Sequence, residues 1–411
     1  MAIRSSMHQV GGVLLERLLA EDPGYRGPRV SCGQGHQASF VDYRHKTMVT
    51  VLSPVRLRRA YYHCASCARG VIPKDCEWDI VSTSFSPGVR RLMARVGGKE
   101  PFDEGRLDLH ELAGIVVQTK QVERVSEAIG AQIEQIASRE RRAALAGKVV
   151  LLQPVPKMYV AIDGTGVPMV PRETQGRPGK DETGQAKTRE AKLGCVFTQT
   201  GLDHKGRPMR DEGSTSYVGA IESAQDFGHR IFTEAIRRTS RRAEQIIVLG
   251  DGAVWIWNIA DEQFPGATQI VDLYHAREHL SGLAKLLYAP GTPKAKAWAE
   301  ARISELDAGD IETLVGNLAR LRPSTATCKN EVRKTIAYFE SNAHRMRYAD
   351  FRRRGLFVGS GVVEAGCKTV IGHRLKQSGM RWTVRGANAI IALRCCELSG
   401  CWETFWEARS A

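Results

Sequence analysis

Two aspartates stand where the sequence would deliver a carboxylate to the rim of a sheet. Asp163 closes the apolar run 158–162 and is followed by Gly-Thr-Gly, and Asp251 follows the apolar run 245–249 and lies between Gly250 and Gly252. Parallel strands in an α/β sheet end on one rim, so the two acids can converge although 88 positions separate them (251 minus 163). Converging carboxylates offer hard oxygen ligands that suit Mg²⁺, and the flanking glycines leave room for a DNA backbone to approach. Such a site needs a third acid. Glu364, in Gly359-Ser-Gly-Val-Val-Glu364, opens a segment with helical patterning and is one of two acids between Ser341 and Arg385, the other being Asp350, against ten Lys and Arg. Lys368, Arg374, Lys376, Arg381 and Arg385 follow it.

A second constellation lies near the N-terminus. Cys32-x3-His36 and Cys64-x2-Cys67 flank an alternating, strand-like stretch at 48–62. Two short-spaced pairs on separate turns joined by a hairpin can supply the four tetrahedral donors of a structural zinc, so the region is expected to be a zinc ribbon. His63 is an alternative ligand, and plain burial of cysteines in a small β domain is the competing reading. Arg56, Arg58 and Arg59 are candidates for phosphate contact. Cys195, Cys328 and Cys367 are expected to be buried or incidental, and Cys395, Cys396 and Cys401 to pack on a helix face.

The elements that must position these residues follow from periodicity. From 157 onward the order is three strands (158–162, 193–200, near 215–218), a helix (223–238), a strand (245–249), a short helix (254–259) and a strand (269–271) that ends in Asp272. That is the RNase H-like order, and the fold class expected is α/β: an RNase H-like catalytic core with an all-helical insertion, preceded by zinc-ribbon-like and helix-turn-helix-like regions. The insertion would span 280–357, with helical spacing through Leu283, Leu286 and Leu287, then 310–321 and 331–344; a separate helical domain is equally compatible. Between 109 and 129 two short helices broken at Gly114, the second N-capped by Thr119, match a helix-turn-helix whose second helix would present Lys120, Gln121 and Arg124 to DNA; scaffold packing is the alternative. A basic, alanine-rich helix at 133–145 would follow. The regions expected are 1–80 (helix and zinc ribbon), 81–150 (helical, DNA-binding), 151–280 (core, first part), 281–355 (insertion) and 356–411 (core, C-terminal helical part).

Composition points to a polyanionic partner. The 411 residues carry 59 Lys and Arg against 45 Asp and Glu, a formal charge of +14 and a pI near 9.4; nucleic acid is the first candidate and a solvated basic surface the other. Residues 1–19 contain no long apolar signal region and no stretch reaches membrane-spanning length, so a cytoplasmic protein with no membrane partner is expected.

The motifs Ala161-Ile-Asp-Gly-Thr-Gly, Leu249-Gly-Asp-Gly-Ala-Val-Trp-Ile, Val271-Asp-Leu-Tyr-His-Ala-Arg-Glu-His-Leu280 and Gly359-Ser-Gly-Val-Val-Glu-Ala-Gly-Cys-Lys through Gly379-Met-Arg-Trp382 carry a resemblance. From about the cysteine knuckles to Arg394 the chain resembles the ISKra-type family of insertion-sequence transposases, DDE enzymes distantly related to the Mutator-like group. The resemblance implies that Asp163, Asp251 and Glu364 are catalytic acids holding two Mg²⁺ or Mn²⁺ ions for cleavage and strand transfer at transposon ends. It also implies DNA ends and target as partners, a homo-oligomer on DNA, and Asp272-x2-His275 as the short signature after the second acid, for which roles behind the ligands or in positioning DNA are expected. The alternatives for Asp272 and His275 are a helix cap and a core histidine. Lys368, Arg374, Lys376 and Arg381 would position the phosphate, and Trp382 would stack on an unpaired base or pack in the core. Family members resemble a C-x2-C first knuckle more often than the Cys32-x3-His36 found here. Two other functions compete: a catalytically silent DNA-binding regulator on the same fold, and a zinc peptidase through His275-Ala-Arg-Glu278-His279, which satisfies H-x2-E-H.

Overall fold

The computed structural model describes residues 2–147, 155–179, 184–238 and 243–410, and the chain divides into two units, 1–130 and 131–411. The expected boundary at 150/151 and residues 180–183, between the first two expected strands, lie outside the described residues. Among the described residues no helix is long and apolar enough to cross a membrane.

The first unit contains α1 (Ala2–Ala20), β1 (Arg29–Ser31), β2 (Gln37–Val49), β3 (Pro54–Cys64), β4 (Arg69–Val71), α2 (Pro73–Glu77), α3 (Pro87–Lys99), α4 (Phe102–Ala113) and the start of α5 (Thr119–Leu145). Its strands form an antiparallel sheet in the order β1-β2-β3-β4. The stretch expected to alternate from 48 to 62 is two strands, because the Thr50 hydroxyl donates to the Ser53 carbonyl (2.7 Å) and accepts the Leu52 and Ser53 amides, which turns the chain at 50–53. Val55 and Leu57 join Met48 and Ile80 in one apolar cluster, and Ala38, Ala60, Tyr62 and Cys64 form another. Arg59 is not available to phosphate: it is buried and paired with Asp75 at 2.6 Å. Arg56 and Arg58 are exposed, with Arg58 lying over the Tyr43 ring.

Ser86 caps α3, accepting the Val89 amide, and Gly114 (φ 68°) ends α4 in the left-handed region that glycine tolerates. Val89, Met93, Leu109, Ile115, Val117 and Val122 pack these helices together. The expected second helix of the helix-turn-helix does not stop near 129, because α5 is one 27-residue helix that includes the basic segment at 133–145. Thr119 is not its cap either: its hydroxyl bonds Asp103, while the Gln121 side chain accepts the Gln118 amide. Lys120 and Arg124 are exposed, Lys120 paired with Glu123.

The second unit runs β5 (Val155–Pro168), β6 (Thr188–Gln199), β7 (Gly201–Leu202), β8 (Pro208–Met209), β9 (Ser216–Ala220), α6 (Ala224–Arg237), β10 (Ala243–Gly250), α7 (Val254–Gln263), β11 (Thr268–Val271), α8 (Leu273–Tyr288), α9 (Pro293–Ala308), α10 (Ile311–Ala319), α11 (Ala326–Asn342), α12 (Tyr348–Arg353), α13 (Gly361–Gly366), α14 (His373–Leu375), α15 (Val384–Leu398) and α16 (Trp402–Ser410). A π-helical turn, Cys367–Gly372, joins α13 to α14. Five strands form a sheet in the order β11-β10-β5-β6-β9, with β5, β6 and β9 antiparallel in sequence and β10 parallel to both β5 and β11. β5 is the central strand, which is why its run 158–162 is uninterruptedly apolar and wholly buried.

Helices cover both faces, and two adjacent residues of β6 show it. A Cβ on Gly194 would come within 2.4 Å of Ile231 on α6, whereas Leu193, pointing the other way, packs against Gly366 of α13 and Gly219 of β9. The helical stretch α8–α12 occupies the interval between β11 and α13 where the insertion was expected. It is tied back to the sheet by the Tyr348 hydroxyl, which donates to the Val271 carbonyl (3.1 Å), and its two ends are joined by the Leu273 amide, which donates to the Val358 carbonyl (2.9 Å).

Candidate functional site

Register alone brings three aspartates to one level of the sheet. Leu249 of β10 pairs with Ala161 of β5, so two residues on, Asp251 comes level with Asp163; Gly250 pairs with Val271 of β11, so one residue on, Asp251 comes level with Asp272. Neighbouring strands lie about 4.8 Å apart, close enough for carboxylates at one level to feel each other. Asp163 does: burial raises its pKa and the charge of Asp251 raises it further, against the opposing effects of the Cys367 thiol and Gly164 amide, which bond the carboxylate, and of nearby His275. Asp251 is fixed from both sides, its Oδ1 accepting the Ala253 amide (2.9 Å) and its carbonyl accepting the Tyr338 hydroxyl (3.0 Å).

Asp272 is a helix cap and more. It is almost fully buried; Oδ1 accepts the His275 amide at 2.7 Å, capping α8, while Oδ2 accepts both the amide and the hydroxyl of Ser360. Ser360 is the N-cap position of α13, the helix that carries Glu364. One buried carboxylate therefore ties the end of β11 to the start of the Glu364 helix. At the far end of that helix the Cys367 thiol bonds Asp163. Glu364 precedes Cys367 by three residues, a spacing that shares a helix face. Hydrogen bonds to a charged acceptor are worth about 1.5–3 kcal/mol each, so Ser360→Ala, which keeps the amide and loses the hydroxyl, should cost stability on that order. Hydrogen exchange at 359–364 should quicken in that variant and return to normal in Ser360→Thr; unchanged exchange would show that the hydroxyl does not hold the segment.

Glu364 itself is turned outward, 58% exposed at the side chain and paired with Lys368 at 2.7 Å. Among the described residues, Asp163, Asp251 and Glu364 do not form a group whose ligand atoms all lie within 4.8 Å of one another; three carboxylates in one place repel, and Lys368 offers the third a nearer partner. Lys376 bonds the Thr165 hydroxyl beside Asp163, and Lys368, Arg381 and Arg385 are exposed. Arg374, expected to face DNA, does not, and Trp382 takes the second of its two readings, the core. Arg374 is fully buried over the Trp382 ring (5.0 Å), and Trp382 is buried as well, its indole N–H donating to the Leu375 carbonyl and its backbone stitched to Pro168 and Val170. Trp382 has no face to offer a base.

His275 meets His279 edge-to-face at 4.9 Å, and His279 stacks on Tyr338 at 4.2 Å; burial, then the neighbouring His275, lowers the basicity of His279. Glu278 is largely exposed. His279 backs onto Asp251 through Tyr338, and among the described residues His275, Glu278 and His279 are not a group whose ligand atoms all lie within 4.8 Å of one another. Ser360 and Tyr338 went unnoticed in the sequence, and Cys367, buried as expected, was not read as a partner of Asp163. Ser360 and Cys367 lie within four residues of Glu364, a usable signal, whereas Tyr338 lies 87 residues from Asp251 and offers none.

In the first unit, Cys32, His36, Cys64 and Cys67 have ligand atoms all within 4.8 Å of one another, and this is the only such group of His, Cys, Asp or Glu among the described residues. His63 is not part of it. The Cys32 and Cys67 sulfurs are 3.8 Å apart, the edge expected of a tetrahedron with bonds of about 2.3 Å. The first knuckle closes through the Cys32 amide on the His36 carbonyl (3.0 Å), with Gly33 and Gly35 both at positive φ. Burial acts to raise the Cys32 pKa, but the Gln34 and His36 amides and the neighbouring thiols outweigh it and bring it down to about 7, while the Cys64 thiol and burial push Cys67 up to about 11. The donor set and spacing fit zinc.

A family model described as an uncharacterised protein family, UPF0236, matches residues 192–408, more than half of the chain. No curated protein matches the sequence. Among solved structures, the Drosophila P element transposase strand transfer complex aligns over 82% of this chain and 84% of its own at 9% identity and a TM-score of 0.24. NurA bound to dAMP and manganese aligns over 72% and 65% at 12% identity and a TM-score of 0.12. At these scores neither fixes a shared fold.

Proposed function

We propose, for a chain that belongs to the uncharacterised protein family UPF0236, that it is a DNA transposase of the DDE type, cutting and rejoining DNA on an RNase H-like core. The observation that carries this reading is that Asp163 on β5 and Asp251, just past the end of the adjacent parallel strand β10, come to one level, in a five-stranded sheet whose first three strands are antiparallel. Asp163, Asp251 and Glu364 would hold two Mg²⁺ or Mn²⁺ ions, and their oxygen-only donor set and glycine-flanked approach fit such ions. When bound, the ions would supply the positive charge that acidifies an attacking hydroxyl and stabilises the leaving oxygen.

The residues of the chain do the rest. Asp163 and Asp251 are held by amides and a thiol and need little reorganisation, while Glu364 exchanges its Lys368 partner for the site. Lys368, Lys376 and Arg381 line up the phosphodiester as exposed cations. Asp272 acts as a positioning residue through Ser360, and His275 and His279 back the Asp251 side through Tyr338. The Cys32, His36, Cys64 and Cys67 cluster would hold a structural zinc, and Lys120, Arg124 and the exposed Arg56 and Arg58 would supply further phosphate contacts.

The test is purified protein with DNA carrying the ends of its own element, in Mg²⁺ or Mn²⁺. The expected products are strands cut to a 3′ hydroxyl and then joined to target DNA, both suppressed by a chelator. Binding without cutting in either ion would replace this reading with that of a silent regulator, and cleavage of casein but not DNA would restore the peptidase.

A further inference from the structure

We propose that the outer face of α1 is a self-association seam that pairs the chain with a second copy of itself. The inference goes beyond the proposed chemistry and does not rest on it. α1 is held to the first unit by its inner face: Leu15 and Leu19 pack against the Met48, Val55, Leu57 and Ile80 cluster, and Glu16 accepts the Arg56 amide at 2.7 Å. Gly12 allows close approach there, since a Cβ would lie 1.8 Å from the Ser53 hydroxyl.

The opposite face is apolar where a solvated helix would be polar. Ile3, Met7, Val10, Leu14 and Leu18 are between 55% and 83% exposed. Their steps of four, three, four and four residues keep them in one stripe, and the first four follow the alternation of a two-stranded coiled-coil seam. The patch continues onto a neighbouring element. The Arg4 guanidinium donates to the Glu111 and Leu112 carbonyls at the end of α4, so the largely exposed Leu112 and Val116 adjoin the Ile3 end.

Area and charge choose the occupant. The exposures of the stripe amount to on the order of 600 Å², the upper end for the largest apolar patch on an ordinary monomer. Two copies face to face would remove on the order of 1,200 Å², the lower bound of a specific interface. No charge stands within the stripe from Ile3 to Leu14, so the face is complementary to itself about a two-fold axis. A membrane surface fits less well. A helix lying on lipid carries a Lys- and Arg-rich polar face, whereas α1 has only Arg4 and Arg17, and Arg4 is spent on α4.

The test is sedimentation velocity of the full chain at micromolar concentration without DNA. A dimer is expected, with Met7→Glu/Leu14→Glu weakening association by at least about 100-fold while far-ultraviolet circular dichroism stays that of the parent, because both side chains are exposed. Val10 sits midway along the stripe and would face its own copy in either helix orientation. Val10→Cys should therefore cross-link on oxidation well above the background of the native cysteines. A monomeric parent chain, an undiminished dimer in the double variant, or failure of Val10→Cys to cross-link each overturns the proposal. Binding to anionic phosphatidylserine vesicles by a monomeric parent chain, lost in the double variant, would overturn it in favour of a lipid surface.

Discussion

Replacing Asp163 by Asn should abolish strand cleavage, by at least about a thousand-fold if it is one of the acids that hold the metal ions, and should at the same time raise the Tm of the metal-free protein at pH 8. The two effects have one cause. Burial, and then the charge of Asp251, make ionised Asp163 costly, so its folded pKa lies above the unfolded value in spite of the Cys367 and Gly164 hydrogen bonds. For an acid shifted upward the sign is fixed: below the unfolded pKa the carboxyl is neutral in both states and nothing is lost, and as pH rises through the unfolded and then the folded pKa the folded state loses stability relative to the unfolded. Asn carries no such penalty. The Tm difference between Asp163→Asn and the parent should therefore be near zero in acid and grow toward pH 8, as measured by calorimetry in a chelator. Adding Mg²⁺ should stabilise the parent chain and leave Asp163→Asn unmoved. Asp251→Asn should lose cleavage to the same degree. A variant that still cuts, or one that melts lower at pH 8, would sink the assignment of Asp163.

Both aspartates were legible in the sequence because their signal is local. A run of apolar β-formers followed by an acid with glycine beside it marks a central strand in fewer than ten residues; β10 ends at Gly250 just before Asp251, whereas β5 does not stop at Asp163 as expected but runs on to Pro168 paired with β6, and the register still brings the two acids level. The third acid was legible only as an isolated charge, and what positions it was not. Ser360 meets Asp272 across 88 residues of chain, most of them helical, and no period or composition records that meeting. Arg374 was misread for another reason, and Trp382 took the core place that was one of its two readings. They occur in a basic stretch, which suggested a DNA-facing surface, but the segment is a π-helical turn, a three-residue helix and a loop stitched to the end of β5. Elements that short have no periodicity from which a face can be read. The α5 helix shows the opposite failure: one helix was read as ending near 129 and another as starting at 133, whereas a single 27-residue helix runs through Gly130, which costs only about 1 kcal/mol in a helix interior.

Cys64→Ala should remove the metal from the first unit and unfold its sheet. Cys64 is fully buried beside Ala38, Ala60 and Tyr62, at the end of the strand that every other strand of that sheet depends on, directly or through β2. Its thiol is at once a donor of the four-residue cluster and a piece of the core. Structural zinc contributes on the order of 10 kcal/mol to small domains that close around it, more than the marginal stability of a unit of this size, about 5–15 kcal/mol, can readily spare. Metal analysis should find about one zinc per chain in the parent and none in the variant. Calorimetry and limited proteolysis should show the first unit melted or cleaved while the second keeps its transition, since its core is built from its own sheet and helices. His36→Cys should retain the zinc, because a fourth thiolate meets the same tetrahedral demand, whereas His36→Ala should weaken it. If Cys64→Ala folds with the parent's near-ultraviolet spectrum, and the parent carries no zinc, then the 3.8 Å approach of Cys32 and Cys67 is packing between thiols and the knuckles are not a metal site.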